Sequence, residues 1–471
     1  MNDPGRLVIL GAGPTGLGAA FRLQELGYGA YQVLEQDDRP GGLARSYVDA
    51  AGFTWDCGGH VQFSHYAYYD ALCDRAVGDA WLAHERESWI WIKGRFVPYP
   101  FQNNIHRLDA ADRDRALAGL ERAAACRPGR PPNFREWIVA TFGEAFAEIF
   151  FFPYNRKVWG YPLERLGVSW MGERVAVPDL ERLRRNVRTG RDDVSWGPNN
   201  MFRFPRHGGT GAIWQGVAAL LPAEKVLFGA EVVAVRLPER VVELRDGRRI
   251  PFDALISSIP LDTLCARSAG LPEPVRLAAR ALVHSAVHVL GVGLRGPKPE
   301  TLARKCWMYF PEPHSPYYRV TVFSNYSPHN APPGGEHWSL MAEVSETPEK
   351  PVRAETLRDE TLAAMRRDGL LGGAEVVSFW HRREAHGYPT PFLGRDETLA
   401  AILPGLEACR VYSRGRFGAW KYEVSNQDHS CMQGVELVDR LLGVGEGDEP
   451  TLNRPDHVNG GAFAARPRGG V

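Results

Sequence analysis

A glycine-rich turn near the start of this 471-residue chain constrains the fold more than any other feature of the sequence. The apolar run at residues 7–10 predicts a buried strand, and residues 17–26 can continue as a helix that ends at Gly27. Between them lies a loop that contains Gly11, Gly13, Pro14, Thr15 and Gly16. Glycines at this spacing let the turn close and let the backbone approach a pyrophosphate, which sits at the positive N-terminus of the helix. The pattern predicts an α/β fold with a Rossmann-like dinucleotide-binding unit.

The residues after this turn narrow the choice of nucleotide. A second apolar strand at residues 31–34 ends in Glu35, where a carboxylate can accept hydrogen bonds from an adenosine ribose. Up to that point FAD and NAD fit equally well. Residues 41–46 then place a second glycine pair beside Arg45, which NAD-binding units do not normally need. This arrangement resembles flavoproteins of the amine-oxidase and glutathione-reductase kind, and the resemblance favours FAD.

Charge and composition exclude several classes of protein. Lys plus Arg and Asp plus Glu each total 56, so the formal net charge is zero and gives no general electrostatic case for binding nucleic acid or an anionic membrane. The seven cysteines are scattered without a C-x-x-C pair, which indicates neither a disulfide framework nor a zinc cluster. There is no run of about 18 apolar residues and no secretory leader pattern before the glycine turn. We therefore expect a cytoplasmic protein without a bound metal.

Several long strings of unusual residues stand beyond the glycine turn. They are W-D-C-G-G-H-V-Q-F-S-H-Y at 55–66, Y-P-F-Q-N-N at 99–104, P-Y-N-R-K-V-W at 153–159, W-M-G-E-R-V-A-V-P at 170–178 and G-R-F-G-A-W-K-Y-E-V-S-N-Q-D-H-S at 415–430. Shorter ones are F-R-F-P at 202–205, G-G-T-G at 208–211, Y-R at 318–319 and F-S-N-Y-S-P at 323–328. Together they resemble UDP-galactopyranose mutases of the type found in fungi and protozoa, from about residue 7 to residue 459.

The resemblance implies a FAD enzyme, an isomerase, that interconverts UDP-galactopyranose and UDP-galactofuranose without net redox change. In the family the flavin must be reduced, and its N5 atom attacks the anomeric carbon and displaces UDP. The resulting covalent adduct opens the sugar ring and recloses it on another hydroxyl. The fungal and protozoan type accepts reducing equivalents from NADPH, so a nicotinamide reductant is implied. Other nucleotide pyranoses, such as UDP-arabinopyranose, remain open as substrates.

The leaving diphosphate of that reaction carries concentrated negative charge, which arginine forks suit well. Arg174 and Arg319 match the family's diphosphate arginines, and Tyr388 and Tyr422 match tyrosines that hydrogen-bond the same phosphates. The resemblance gives the two arginines, together with His60, a part in catalysis. Around the uridine and the sugar it places Tyr99, Phe101, Gln102, Trp159 and Asn199. Phe101 and Trp159 fit an ordinary hydrophobic core equally well.

Cofactor contacts follow from the same resemblance. His60 resembles the histidine beside the isoalloxazine, in a loop that responds to the flavin redox state, although an isolated histidine is more often structural. The residues expected to contact FAD are Gly11, Gly13, Pro14, Thr15, Gly16, Glu35, Gly41, Gly42, Leu43, Ala44, Ser46, Gly58, Gly59, His60, Arg416, Asn426 and Gln427. Those expected to contact NADPH are Arg86, Ser88 and Tyr309, and the first two also fit an exposed strand end.

Periodicity and the family resemblance together divide the chain into three lobes. The resemblance assigns the strands near 231–259 to the FAD-binding lobe, whereas their periodicity alone fits an ordinary antiparallel layer equally well. The prediction is a discontinuous FAD-binding lobe (1–103, 199–279 and 389–471), an inserted helical substrate lobe (104–198) and an antiparallel β-sheet lobe (280–388, with a contribution from 86–100). Within them we predict strands at 231–237 and 240–244 that are followed by a hairpin turn at Asp246-Gly247, a helix over 137–152 after a cap at Asn133, and a closing helix at 432–442.

Two features depart from the family pattern. The turn at 328–336 is short, and Gln62 occupies a position next to His60 that is usually apolar.

Two other functional classes remain. An oxidase or desaturase of the flavin amine-oxidase superfamily would share the first sixty residues, but it has no use for paired diphosphate-binding Arg and Tyr. A flavoprotein that binds UDP without turnover is the third class.

Overall fold

A computed structural model of the chain describes residues 2–126, 129, 131–171, 179–194 and 200–461, the side chains of residues 457, 460 and 461 excepted. The strands are β1 (Leu7–Leu10), β2 (Tyr31–Leu34), β3 (Ser46–Val48), β4 (Thr54–Asp56), β5 (Trp81–Glu85), β6 (Ser88–Ile92), β7 (Arg95–Pro98), β8 (Met201–Pro205), β9 (Val226–Leu227), β10 (Val232–Arg236), β11 (Val241–Leu244), β12 (Arg249–Pro251), β13 (Ala254–Ser257), β14 (Ser268–Ala269), β15 (His284–Arg295), β16 (Trp307–Tyr309), β17 (Arg319–Val322), β18 (His337–Glu346), β19 (Glu375–Pro389) and β20 (Val411–Ser413). The helices are α1 (Pro14–Glu25), α2 (Ala67–Val77), α3 (Ala110–Ala125), α4 (Phe134–Phe142), α5 (Glu144–Phe146), α6 (Phe152–Trp159), α7 (Leu180–Thr189), α8 (Gly211–Ala219), α9 (Leu261–Arg267), α10 (Glu273–Ala279), α11 (Ala354–Arg367), α12 (Arg395–Ala408), α13 (Gln427–Leu442), α14 (Pro450–Asn453) and α15 (Pro455–Gly461).

The glycine turn belongs to a parallel sheet of five strands in the order β20-β13-β1-β2-β9. Every residue of β1 and of β13 is buried, as expected for strands covered on both faces. Leu7 lies opposite Tyr31 on one side and Ala254 on the other. Helix α1 begins at Pro14 rather than at residue 17, because proline suits the first helical position. The predicted Rossmann-like α/β fold is confirmed.

A second, smaller sheet comes from the segment predicted as a hairpin. Strands β10 and β11 pair antiparallel, with Val232 opposite Leu244. The Asp246-Gly247 turn joins β11 to β12, and the sheet has the order β12-β11-β10-β14. These strands follow the bounds that the alternation of apolar residues predicted.

The largest sheet has seven strands in the order β19-β15-β18-β17-β16-β6-β7. Its neighbouring strands are antiparallel except for β6 and β16, which run parallel and set Trp89 beside Met308. The sheet is therefore mixed rather than purely antiparallel. The physical reason is that β6 and β7 arrive as a hairpin from the N-terminal part of the chain and dock alongside β16.

The helical segment is less regular than its periodicity predicts. Asn133 caps α4 as expected, but the single helix predicted over 137–152 is wrong. The helix stops before Gly143, whose φ is 81°, and the chain continues as α5, a π-helical turn at Ala147–Phe151 and α6. A Cβ on Gly143 would lie 2.5 Å from the carbonyl oxygen of Gly119 in α3. The break therefore lets two helical segments approach closely.

None of the helices in the described part of the chain combines the length and apolarity needed to cross a membrane. All seven cysteines are unpaired.

Candidate active site

A cavity of about 660 Å³ lies between the parallel sheet and the seven-stranded sheet. Its walls come from the carboxyl ends of β1, β2 and β13 and from β17, β18 and β19. Open parallel sheets bind ligands at this edge. The predicted residues that line the cavity are Gly11, Gly13, Pro14, Thr15, Glu35, Gly42, Leu43, Ala44, Gly58, Gly59, His60, Arg86, Tyr309, Arg319, Tyr388, Arg416, Tyr422, Asn426 and Gln427.

The glycine turn leaves no room for a side chain at Gly11 or Gly16. The φ of Gly11 is 96°, and a Cβ there would meet the hydroxyl of Ser258 at 2.5 Å. Gly16 lies outside the lining residues, and a Cβ on it would lie 1.9 Å from the carbonyl oxygen of Gly11. Gly16 thus closes the turn, while Gly11 and Gly13 line the cavity at the N-terminus of α1, where a phosphate would be held.

Glu35 follows the end of β2 and lines the cavity beside the glycine turn. One carboxylate oxygen accepts the N–H of Ala12 at 2.7 Å and the other accepts the N–H of Asp37 at 3.0 Å. Burial raises the pKa of Glu35, and the two backbone donors oppose that rise. These bonds fix the carboxylate where it can accept a ribose hydroxyl.

The two glycines of the second pair have different positions relative to the cavity. Gly42, Leu43 and Ala44 line the cavity, whereas Gly41 donates its N–H to the carbonyl of Ala12 at 2.8 Å and lies outside the lining. Arg45, which also lines the cavity, donates to Asp37 at 2.5 Å. Its buried Nε–H has no partner among the residues that the structure describes.

Ser46 does not line the cavity. Its hydroxyl donates to Asp56 at 2.5 Å and accepts the N–H of Gly211 at 2.8 Å. Burial raises the pKa of Asp56 to about 7, against the lowering effect of Ser46 and Thr210. Ser46 therefore joins β3, β4 and the start of α8 beneath the site.

The loop after β4 brings His60 to the cavity wall. Its N–H donates to the carbonyl of Gly58 at 2.8 Å, and the N–H of Gly59 donates to Glu343 at 3.0 Å. The buried Nδ1 of His60 has no partner within the described chain. Burial lowers the pKa of His60 to about 4, so the imidazole is neutral at neutral pH. Gln62 is held by the N–H···O=C bonds it exchanges with Arg203.

Arg319 enters the cavity as one half of a buried ion pair. Its Nε and Nη2 donate to the two carboxylate oxygens of Glu343 at 2.8 and 2.7 Å. Tyr318 donates its hydroxyl to the same carboxylate at 2.7 Å. Burial would raise the pKa of Glu343, but the charge of Arg319 and these hydrogen bonds lower it below its ordinary value. The guanidinium is thus fixed in orientation with one edge on Glu343.

Two tyrosines stand beside this ion pair. The rings of Tyr388 and Tyr422 lie 5.8 Å apart, and the guanidinium of Arg416 lies 4.9 Å from the ring of Tyr388. Arg416 donates to the carbonyl of Gly387 at 2.8 Å and to the hydroxyl of Ser425 at 2.9 Å. Arg319, Arg416, Tyr388 and Tyr422 thus lie together in one part of the cavity wall. All four are donors suited to phosphate oxygens.

Five predicted residues lie behind this wall rather than in the lining. Phe101 is fully buried and stacks on Phe150, with ring centroids 4.7 Å apart. Trp159 packs edge-on against Tyr422 at 5.0 Å and Tyr388 at 5.9 Å. The others are Tyr99, whose ring lies 5.2 Å from the Arg86 guanidinium, Gln102, which is buried, and Ser88, whose hydroxyl accepts from Arg86 at 2.8 Å. Arg174 and Asn199 lie outside the described residues.

The helix predicted at 432–442 begins earlier, at Gln427, and its first turn lines the cavity. Asn426 and Gln427 therefore stand at a helix N-terminus, which favours negative charge in the cavity. Asp428 follows, and its carboxylate accepts a hydrogen bond from Nδ1 of His65 at 2.6 Å. Burial would raise the pKa of Asp428, but His429 and His65 lower it to about 2.

Comparison with known proteins assigns the chain to a family. The model of flavin containing amine oxidoreductases matches residues 14–407. A solved structure of a reduced UDP-galactopyranose mutase is 49% identical, with 97% of each chain covered and a TM-score of 0.94. The chain belongs to the UDP-galactopyranose mutase family. Two solved structures share the fold alone: a CLA-producing fatty acid isomerase from P. acnes (14% identity, 93% of this chain and 99% of that chain, TM-score 0.63) and a putrescine oxidase (17%, 93% and 99%, 0.63).

As a member of the mutase family the protein is a flavoenzyme of the isomerase class that uses FAD, and the cavity fits that cofactor. The glycine turn leaves space for a diphosphate, Glu35 can take the adenosine ribose, and the unpartnered Nε–H of Arg45 is a spare donor at the cavity wall.

The motif strings of the mutase family missed several lining residues. Glu343 accepts hydrogen bonds from Arg319, Tyr318 and Gly59, yet it lies among the buried, mostly apolar residues of β18, whose other acid, Glu346, is at the half-buried end of the strand. An acid within a buried run of this kind is a signal in itself, because a buried charge needs a partner. The sequence could not identify the partner, since pairing Arg319 with Glu343 requires the register of β17 on β18.

Proposed function

We propose that the protein interconverts UDP-galactopyranose and UDP-galactofuranose, with reduced FAD as cofactor and NADPH as the source of electrons. The observation that carries this proposal is the meeting of Arg319, Tyr388 and Tyr422 in the cavity that also holds the dinucleotide turn. A second diphosphate, besides that of FAD, accounts for such a donor set. An oxidase acting on an amine or an apolar substrate would not need it.

We propose that Arg319, Tyr388 and Tyr422, with Arg174, bind the diphosphate of the substrate. The guanidinium fork of Arg319 is oriented by Glu343, so little conformational freedom is lost when phosphate oxygens arrive. As the bond to UDP breaks, these donors take up the negative charge that develops on the leaving diphosphate.

The uridine is proposed to bind among Tyr99, Phe101, Gln102 and Trp159, and Asn199 is proposed to contact the sugar. Support comes from the aromatic cluster around Trp159, which meets Tyr388 and Tyr422 edge to face. An aromatic layer directly behind the diphosphate donors offers stacking for a base.

When bound and reduced, FAD supplies the nucleophile for the anomeric carbon. The neutral His60 adds no positive charge at the cavity wall, and its Nδ1 can hold or accept a proton. The N-terminus of α13 at Asn426 and Gln427 favours an anion in the cavity.

Arg86, Tyr309 and Ser88 are proposed to bind NADPH. Arg86 lines the cavity between the rings of Tyr99 and Trp307, at 5.2 and 5.3 Å, and Ser88 orients it through a hydrogen bond. A cation framed by aromatic faces suits a phosphate-bearing nicotinamide nucleotide. The seven unpaired cysteines support a reducing compartment, so we propose that the protein acts in the cytoplasm.

The test is an anaerobic incubation of the FAD-loaded protein with UDP-galactofuranose, with no reductant, with dithionite or with NADPH, followed by chromatography of the nucleotide sugars. We expect UDP-galactopyranose only when the flavin is reduced. Arg319→Lys keeps the charge but loses the fork, and we expect it to lower kcat/KM at least about 100-fold, equivalent to about 2.7 kcal/mol.

Arg295→Lys is the matched control, because Arg295 pairs with Glu375 on the exposed side of the same sheet. It should leave kcat/KM unchanged. The absence of conversion with either reductant, in protein that holds FAD and binds UDP, would overturn the galactose assignment. Conversion of a different UDP-pyranose would keep the reaction and change the sugar, whereas flavin reduction by the substrate itself would indicate an oxidase.

A further inference from the structure

A cluster of two histidines and one aspartate joins three elements that are distant in sequence. Asp262 lies in the first turn of α9, His284 begins β15, and His386 lies near the end of β19. His386 lines the cavity and His284 does not. The ladder between β15 and β19 is irregular here, with its register shifting between Ser285 and Val287. Such an irregularity redirects side chains, and the two imidazole rings stack with centroids 4.1 Å apart and planes inclined by 22°.

Both imidazoles direct Nε2 toward the same carboxylate. His386 Nε2 lies 3.1 and 3.0 Å from the two oxygens of Asp262, and His284 Nε2 lies 3.6 Å from one of them. The three ligand atoms all lie within 4.8 Å of one another. A tetrahedral ion with bonds of about 2.0–2.1 Å holds its ligand atoms roughly 3.4 Å apart. Small side-chain rotations therefore suffice to bring the cluster to coordination geometry.

The hydrogen bonding of His284 also suits a metal. Its Nδ1 faces backbone carbonyls, that of Ser285 at 3.5 Å and that of Ala385, which favours a proton on Nδ1 and a lone pair on Nε2.

A second cluster of the same residue types, His65, Asp428 and His429, differs from this one in its exposure to solvent. The side chains of that second cluster are only 5%, 1% and 1% exposed, and His429 Nε2 already bonds Asn459. In the first cluster Asp262, His284 and His386 are 26%, 30% and 22% exposed, so an ion can enter.

We propose that Asp262, His284 and His386 form a binding site for a divalent transition metal ion of the class of Zn²⁺, Ni²⁺ or Co²⁺. Two imidazoles and one carboxylate select such ions over Mg²⁺ and Ca²⁺, which prefer all-oxygen ligands. Water completes the coordination. The ion joins α9, which follows the parallel sheet, to two strands of the seven-stranded sheet, and it lies at the cavity wall through His386.

The test is calorimetric titration of ZnCl₂ into the full-length, FAD-loaded protein, free of affinity tags and dialysed against a chelator. We expect one Zn²⁺ per chain with a Kd in the low micromolar range or tighter, and an upward shift of the melting temperature. His284→Asn, which leaves the cavity lining intact, should weaken binding at least tenfold and abolish that shift. His386→Asn and Asp262→Asn should do the same, with the flavin absorbance spectrum confirming a folded holoprotein.

His207 and His329 provide the matched control. Their rings also stack, with centroids 3.9 Å apart, but no ion pair with a carboxylate joins either of them within the described residues. His207→Ala should leave Zn²⁺ binding unchanged. Substitution with Co²⁺ should give the intense visible bands of a low-coordinate nitrogen and oxygen site in the native protein and not in His284→Asn. The proposal is overturned if the native protein binds no Zn²⁺ or if binding survives His284→Asn and His386→Asn.

Discussion

Glu343, which the motif strings did not identify, holds two separate parts of the cavity wall. Its carboxylate accepts two hydrogen bonds from Arg319, one from Tyr318 and one from the N–H of Gly59. The loop that carries His60 and the arginine proposed to bind the diphosphate therefore share one anchor. We therefore expect a change at either place to affect the other through this carboxylate.

Replacement of Glu343 by glutamine should affect both the free energy of unfolding and the binding of UDP. The amide keeps the shape but removes the charge, so Arg319 is left without its counter-ion, and we expect the free energy of unfolding to fall by about 2 kcal/mol. Urea unfolding measures the loss, and calorimetry with UDP shows whether binding changes with it. Glu336→Gln, at an exposed position just before β18, should change neither quantity. Equal unfolding curves for the two variants would contradict this account of the ion pair.

The pKa of His60 predicts a pH dependence of stability. The folded protein keeps the ring neutral down to about pH 4, while the unfolded chain takes up a proton near pH 6.5. The free energy of unfolding therefore keeps its full value above pH 6.5, where His60 is neutral in both states, and it decreases as the pH falls toward 4 because the unfolded chain takes up the proton. In His60→Asn the free energy of unfolding should fall by about 1 kcal/mol less over this pH interval than in the native protein. The difference is this small because the partly open cavity screens the charge. Parallel pH profiles for the native and variant proteins would contradict the prediction.

At the scale of elements, the sequence predicts what local signals determine. Strands β1 and β2 have the predicted bounds, and α1 shifts only to accommodate its initial proline. The helix over 137–152 was mispredicted because its break depends on the approach of Gly143 to Gly119, a contact that periodicity cannot reveal. Glu343 was missed for the same kind of reason, since its role depends on strand register.

The packing of α13 on α1 depends on a glycine that no motif singled out for packing. A Cβ on Gly434 would lie 2.2 Å from the carbonyl oxygen of Thr15, in the turn that faces the cavity. Gly434→Ala must push the two helices apart, and we expect a loss of about 2–3 kcal/mol in unfolding free energy together with weaker FAD retention.

The matched control for this substitution is Gly29→Ala. A Cβ there meets nothing within 4 Å, and the residue is exposed. Urea unfolding and the flavin content of the purified proteins measure both effects. If Gly434→Ala retained native stability and a full complement of FAD, the close contact between α1 and α13 would not be needed for the site.

At the scale of the whole molecule, the site is built from distant parts of the chain. The sequence predicts which segments form sheets and helices. It does not predict the order of the strands, because β1 pairs with β13, with Leu7 opposite Ala254, across about 250 residues of chain. The mixed character of the seven-stranded sheet was hidden in the same way, because β6 pairs with β16. Non-local pairings leave no local pattern.

Because both large sheets wall the cavity, bound FAD should stabilise the two together. At a free concentration about 100 times its Kd, a ligand adds about 2.7 kcal/mol to the free energy of unfolding. Removal of FAD should lower the melting temperature by several degrees, and adding FAD back should restore it, as followed by circular dichroism. A melting temperature that is the same with and without FAD would show that the cofactor contributes nothing to holding the sheets together.

The pairing of β1 with β13 also determines how late in translation the flavin pocket can form. Ala254 is synthesised roughly 10 to 50 s after Leu7 at ordinary elongation rates. Until then β1 lacks a neighbour on one edge, and the first turn of α13 at Gln427 is made later still. The nascent chain therefore has no complete flavin pocket for most of its synthesis. We therefore expect FAD to bind only after α13 has been synthesised.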